Sequence, residues 1–215
     1  MCSTGKAGLR AFSTTMPPTL NWRKRWLDYR PIQDRRALAG GALYITLVIP
    51  PLTAALESSM ATHMLVQIPL LALVGALCAG ALPVRIHNWL GCYNENGLPG
   101  ILLTLFIAAY WMLPRALDGA LASPTREAAK FLSLPLLLGL PLALSWRRLG
   151  PITKGLVYGN AVSMLGVAGW LYCAAPVRLC NYYRIDQQVL AGQGLLYAAC
   201  ALGLVGVVRV FITVR

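Results

Sequence analysis

Apolar residues in this chain occur in long blocks, separated by short charged or Pro/Gly-rich connections. A helix needs about 20 apolar residues to cross a bilayer. On this criterion the blocks predict six membrane-spanning helices, at residues 37–55, 61–82, 99–114, 129–146, 155–175 and 188–212. The third is short, and Pro135 and Pro141 interrupt the fourth, but neighbouring helices can satisfy the backbone groups that a membrane proline frees.

Composition supports the same interpretation. Hydrophobic residues make up 57% of the chain and charged residues only 12%, and the mean hydropathy is +0.60. A soluble domain carries about 25% charged residues. The expected fold class is therefore all-α, a polytopic helical membrane protein with about six transmembrane helices in one bundle.

The sequence divides into a basic N-terminal tail with an interfacial segment, residues 1–36, and a helical transmembrane domain, residues 37–215. Met1–Pro18 is rich in Ser, Thr and basic residues and lacks the apolar core of a secretory signal peptide. A short cytoplasmic tail and a mitochondrial presequence both fit it. Trp22–Trp26 places two indoles beside three cations, a pattern typical of an anchor at the lipid headgroups.

The cations that give the chain a net charge of +12 lie where the positive-inside rule expects them. They therefore give no reason to expect nucleic acid as a partner. Their distribution predicts an inner-membrane protein, bacterial or mitochondrial, with both termini cytoplasmic and membrane lipid as a partner. The connections after spans one, three and five then face the outer side; they contain Glu57, residues 115–130 and residues 176–186. The cations expected inside are Lys6, Arg10, Arg23, Lys24, Arg25, Arg30, Arg35, Arg36, Arg147, Arg148 and Lys154.

Signatures of catalysis are missing from the sequence. It contains no phosphate-binding Gly-Lys-Ser/Thr loop, no GxSxG elbow and no HExxH pair. The six cysteines form no CxxC pair, and only Cys180, in an outer connection, is a candidate soft ligand. We therefore expect that the protein is not an enzyme.

The segment Met60-Ala61-Thr62-His63-Met64 opens the second predicted span. At helical spacing Met60 and Met64 lie one turn apart, with His63 beside them. Thioether and imidazole groups form a soft ligand set that suits Cu(I). An interfacial histidine packed among apolar methionines accounts for the same pattern, so spacing alone leaves both interpretations open.

Three stretches resemble, in order, the CtaG family of cytochrome c oxidase assembly factors. Pro50–Gln67 is similar to the segment in which the family has His-Met-x-x-His; here it reads His63-Met64-Leu65-Val66-Gln67. Tyr110–Pro114 with Asp118–Leu121 resembles a Trp-His-x-Pro segment and the Ala-Leu segment that follows it. Arg184–Gly192 resembles an Asp-Gln-Gln-x-x-Gly motif. The similarity covers about residues 35–204.

The departures from the family concern histidines. Gln67 replaces the second His, Met112 stands where the family has His, and Thr125–Lys130 replaces a His-rich stretch. The resemblance therefore implies a divergent member whose metal site is either rebuilt with Met or lost. A rebuilt site would consist of His63, Met60, Met64 and Met112, with Asp186 as a polar partner. Asp186 can equally begin the sixth helix, where the helix dipole favours an acidic group.

The resemblance implies a membrane factor, such as a metallochaperone, that assists assembly and copper maturation of a haem-copper oxidase, with Cu(I) bound and an oxidase subunit or copper donor as partner. A scaffold or structural accessory subunit that kept the fold without the metal is the alternative. A solute transporter is disfavoured because paired intramembrane charges and an inverted repeat are not evident.

Two further expectations concern packing. Glu57 and Asp118 are expected to pair with Arg115, Arg126 or Arg184. Gly155, Gly159, Gly166 and Gly169, with Gly192 and Gly194, predict close packing of the fifth and sixth spans.

Overall fold

The computed structural model of the chain describes residues 22–214, which form helices and no strands. The expected all-α fold is therefore confirmed; the tail Met1–Pro18 lies outside the described residues. In chain order the helices are α1 (Trp22–Val48), α2 (Pro50–Glu57), α3 (Met60–Ala81), α4 (Val84–Tyr93), α5 (Leu98–Trp111), α6 (Pro114–Ala122), α7 (Pro124–Trp146), α8 (Pro151–Ala174) and α9 (Ile185–Val214).

Among the described residues, α3, α7, α8 and α9 are each long and apolar enough to cross a membrane. They correspond to the second, fourth, fifth and sixth predicted spans. The first and third predicted spans are bent: the axis turns by 73° between α1 and α2, and by 72° between α5 and α6. Residues 22–214 thus contain four candidate spans, or up to six if each bent pair counts as one.

Proline causes both bends, because it lacks an N–H and its ring excludes a straight continuation of the helix. Pro50 begins α2 and Pro114 begins α6. Side chains satisfy carbonyl groups near the two bends: the Thr53 hydroxyl donates to the Leu47 carbonyl at 2.8 Å, and the Tyr172 hydroxyl donates to the Met112 carbonyl at 3.3 Å.

The predicted connection at residues 115–130 is helical instead, which corrects the sequence interpretation. It forms α6 and the first turns of α7, whose N-terminus is Pro124 rather than residue 129. Proline at the first helical position favours helix initiation at both points. Lys130, expected in an outer aqueous connection, is consequently buried in the bundle with no exposed surface.

Helices α3 and α7 pack backbone against backbone. A Cβ at Gly75 would overlap the carbonyl of Pro135, and a Cβ at Gly139 would overlap the carbonyl of Ala72. Both helices also contain a π-helical turn, His63–Gln67 in α3 and Leu134–Gly139 in α7. Pro69 and Pro141 follow these turns, and the extra residue of each turn makes room for the proline ring.

Helices α8 and α9 pack closely, as expected, but through fewer glycines than predicted. A Cβ at Gly169 would lie 2.8 Å from the Gly192 carbonyl oxygen. Nothing lies within 4 Å of a Cβ at Gly155, Gly159 or Gly166, so the prediction was wrong for these three. Gly194 faces Leu65 of α3 rather than α8.

The bundle has two polar ends. One, here called the histidine end, joins the three connections that were predicted to share a side, through contacts of Glu57 with Lys130, of Asp118 with Asn181, and of Tyr183 with His63. At the other, the arginine end, Arg148 donates to carbonyls of Gly91 and Asn94. Alternating helix direction therefore collects the candidate site residues at one end.

Candidate functional site

His63 lies in the π-helical turn of α3 and has no exposed surface. Its Nδ1 lies 2.9 Å from the hydroxyl oxygen of Tyr183, which reaches it from the connection between α8 and α9. The two rings meet edge to face, with centroids 6.4 Å apart. The imidazole is therefore held in one orientation by a residue far away in the sequence.

The hydrogen bonds of Tyr183 assign the tautomer of His63. The Tyr183 hydroxyl donates its single proton to the carbonyl of Glu57, at 3.0 Å. Burial, with the Glu57 carboxylate nearby, raises the pKa of the Tyr183 phenol, so that this proton is retained. Toward His63 the hydroxyl can then only accept, which requires the proton on Nδ1 and leaves a lone pair on Nε2.

The Nε2 atom of His63 is buried and has no hydrogen-bond partner among the described residues. An unpaired buried polar atom is uncommon and calls for a reason. A neutral imidazole whose other nitrogen is fixed by a hydrogen bond is the usual form of a histidine metal ligand. The geometry of His63 thus fits a metal ion.

Two thioethers share the surroundings of His63. Met60 precedes the π-helical turn and Met64 lies within it, and both are buried in the core cluster that also contains Tyr183. Cys180 belongs to the same cluster. Imidazole and thioether groups favour a soft monovalent ion such as Cu(I). Met60, His63 and Met64 are the residues that would hold it.

A buried polar network adjoins the group formed by Met60, His63 and Met64, here called the His63 pocket. The Lys130 ammonium donates to Glu57 Oε1 and to Gln67 Oε1, the latter at 3.3 Å, and Gln67 Nε2 donates to Glu57 Oε1 at 3.1 Å. Lys130 is 0% exposed and the Glu57 side chain 13%. The expected pairing of Glu57 with an arginine was wrong, since the ion pair forms with Lys130. Gln67 of α3 thus contacts residues of α2 and α7.

The other two candidate ligands, Met112 and Asp186, lie in different surroundings. Met112 packs against the same core cluster as Met60 and Met64, just after α5 ends at Trp111. Asp186 is 66% exposed in the first turn of α9 and pairs with Arg184 at 3.1 Å. Its position matches the helix-start interpretation, whereas His63 is fully buried.

A second polar group lies nearby at the histidine end. Asp118 accepts hydrogen bonds from the backbone and side-chain nitrogens of Asn181, at 2.8 and 3.2 Å, and not from an arginine as expected. Burial, helped by the Asp118 carboxylate, raises the pKa of the Cys180 thiol to about 12. The Cys180 sulfur lies 3.8 Å from the carbonyl oxygen of Pro114. The thiol is therefore protonated and weakly reactive at neutral pH.

Sequence reasoning missed Lys130 and Tyr183 as members of the site. A signal for Lys130 existed, because it directly precedes the apolar run that begins at Phe131. Tyr183 carries no such signal; only the fold brings it to His63. Among residues 22–214, no group of three or more His, Cys, Asp and Glu side chains is arranged to hold a metal.

Comparison of the chain with protein-family models, with curated proteins and with solved structures found no match.

Proposed function

We propose that this protein is a membrane factor that assists copper maturation of a haem-copper cytochrome c oxidase by binding Cu(I) at His63 with Met60 and Met64. The unpartnered, buried Nε2 atom of His63 carries the proposal. The resemblance of three ordered segments to the CtaG family supplies the biological setting. Binding and transfer of the ion require no turnover, so no enzymatic activity is proposed.

The location of the pocket supports the proposal. His63 lies at the histidine end of the bundle. At the arginine end, Arg147 and Arg148 lie in the connection between α7 and α8, and Lys154 lies in the first turn of α8. The positive-inside rule supports a cytoplasmic arginine end. The pocket then faces the outer side of a bacterial inner membrane, or the intermembrane space if the membrane is mitochondrial.

A scaffold without metal is the second candidate. The lack of a cluster of three His, Cys, Asp or Glu side chains in residues 22–214 favours it, as does the exposed ion pair of Asp186. In that case the buried polar network would hold α2, α3 and α7 together as part of a larger membrane complex.

Metal analysis of purified protein separates the two candidates. Cu(I) content and affinity are measured in detergent for the wild type, for His63→Ala and for His87→Ala. His87, exposed on α4, is the other histidine of the chain and serves as the matched control. We expect one copper per chain in the wild type and in His87→Ala, and its loss in His63→Ala. Copper binding unaffected by His63→Ala, or absent from the wild type, would favour the scaffold.

Thioether participation is tested in the same way. Met60→Leu combined with Met64→Leu keeps the apolar volume and removes both sulfurs, and Met164→Leu in α8 is the control. We expect Cu(I) affinity to fall in the double variant alone. In cells, that variant and His63→Ala should lower the copper content of the oxidase at normal abundance of the factor.

A further inference from the structure

The Glu57–Lys130 ion pair connects three helices inside the bundle, where burial of a charge costs free energy. Glu57 ends α2 and Lys130 lies in α7, while Gln67 of α3 bonds to both. A buried pair is weak evidence for stability, because desolvation of the two ions offsets much of their attraction. We therefore look for a role of this ion pair, beside the His63 pocket, other than stabilisation of the fold.

Hydrogen bonds connect the pair to His63. Gln67 is the last residue of the π-helical turn that His63 begins. Tyr183 donates to the backbone carbonyl of Glu57 and accepts from His63. A change of charge at Glu57 or Lys130 is thus felt at the Nε2 atom through a region of low dielectric, where interactions between charges are strong.

The charges of the ion pair and of the proposed ligands sum to zero. Glu57 contributes one negative charge and Lys130 one positive charge, and the His63 tautomer assigned above is neutral. Met60, Met64 and Gln67 carry none. Lys130 and Gln67 both donate to Oε1 of Glu57, so this hard oxygen atom is withheld from any entering ion.

We propose that the Glu57–Lys130 pair sets the charge class of the ion that the His63 pocket accepts, admitting a soft monovalent cation and excluding divalent cations. The desolvation cost of an ion rises with the square of its charge. A neutral pocket of imidazole and thioethers offsets that cost for a soft monovalent ion but offers a divalent ion no counter-charge. This inference rests on the proposed function, because it defines the selectivity of the same site.

A series of variants changes the pocket charge one unit at a time. Lys130→Met gives −1, the wild type 0, Glu57→Gln +1, and the double variant Glu57→Gln/Lys130→Met returns to 0 without an ion pair. Lys154→Met, at the arginine end, is the control for loss of a lysine elsewhere. The probes are Ag(I), a redox-stable soft monovalent ion, and Co(II), a divalent ion with a visible spectrum.

The charge rule predicts an order of affinities. Ag(I) affinity should be highest in Lys130→Met, equal in the wild type and the double variant, and lowest in Glu57→Gln. Each step should be at least about tenfold, because charges interact strongly at the effective dielectric of protein interiors. Co(II) should bind to Lys130→Met and not to the wild type, the double variant or Lys154→Met.

The double variant keeps the test decisive if a single variant fails to fold because it leaves a buried charge unpaired. A double variant that folds but binds Ag(I) at least tenfold more weakly than the wild type would overturn the inference, since affinity would then follow the intact ion pair and not the charge. Equal Co(II) binding by the wild type and Lys130→Met would also overturn it. If the wild type binds no Ag(I) or Cu(I), the proposed function fails, and a Co(II) gain in Lys130→Met would still support the charge rule.

Discussion

The hydroxyl of Tyr183 lies 2.9 Å from Nδ1 of His63, although 120 residues separate the two in sequence. The same hydroxyl donates to the Glu57 carbonyl. One phenolic oxygen thus orients the imidazole, fixes its tautomer and ties the end of α2 to the connection before α9. Removing that oxygen tests all three effects.

Tyr183→Phe should weaken Cu(I) binding without unfolding the protein. Loss of a partner that orients a ligating histidine costs about 10–100-fold in metal affinity, and we expect a value in this range. Tyr182→Phe is the matched control, because Tyr182 is exposed and adjacent. Competition titration against a Cu(I) chelator measures both variants. An affinity equal to that of the wild type would mean that His63 needs no orientation by Tyr183.

Breaking the buried ion pair should destabilise the bundle more than removing it entirely. Glu57→Gln leaves the buried Lys130 ammonium without its counter-ion, which costs about 3–5 kcal/mol. The double variant Glu57→Gln/Lys130→Met removes both charges and should recover most of that loss. Melting of the purified proteins in one detergent compares them. A double variant less stable than Glu57→Gln would contradict this expectation.

The close backbone contact between α3 and α7 should tolerate no added methyl group. Gly139→Ala places a Cβ on the carbonyl of Ala72, and the backbones must separate. We expect a loss of about 1–3 kcal/mol or more, the usual cost of overpacking. Gly159→Ala meets nothing within 4 Å and should leave stability unchanged. Equal melting temperatures for the two variants would show that the helices are less closely packed than described.

Alkaline pH should weaken the fold through Cys180. Its pKa is raised from 9.0 to about 12 in the folded protein. The folded state therefore favours the protonated thiol, a contribution that is complete below pH 9 and is lost as pH rises toward 12. Cys180→Ala should reduce the fall in melting temperature between pH 8 and pH 10. A parallel fall in both proteins would assign the pH dependence to other groups, such as Tyr183.

Hydropathy alone predicted the spans that became α3, α7, α8 and α9, because a membrane helix needs little more than length and apolar composition. It could not predict the bends at Pro50 and Pro114. A hydropathy window averages over a proline, which changes the direction of the helix axis but hardly changes the mean hydropathy. Thr53, whose hydroxyl donates to the Leu47 carbonyl near the first bend, gives no signal for the bend in such a window either.

The site was predicted in part. Met60, His63 and Met64 come together because they are local in one helix, and local spacing can be read from sequence. Lys130 was predicted to lie in an aqueous connection, because burying a charged residue in a bundle costs free energy unless the charge is paired. Its partner, Glu57, lies 73 residues away. Long-range pairing is decided by helix packing, which single-sequence patterns do not encode.

The π-helical turn His63–Gln67 has a consequence for how α3 can vary. Such a turn contains one residue more than an α-helical turn, and each residue of an α-helix rotates the chain by about 100°. Deleting one of residues 64–67 would straighten the helix and rotate Gly75 away from Pro135, while His63 kept its place. The extra residue thus sets the rotation about the axis of α3 between His63 at its start and Gly75 farther along. With it, His63 faces the polar network while Gly75 faces α7. A single-codon deletion here should be more damaging than most substitutions in the same helix.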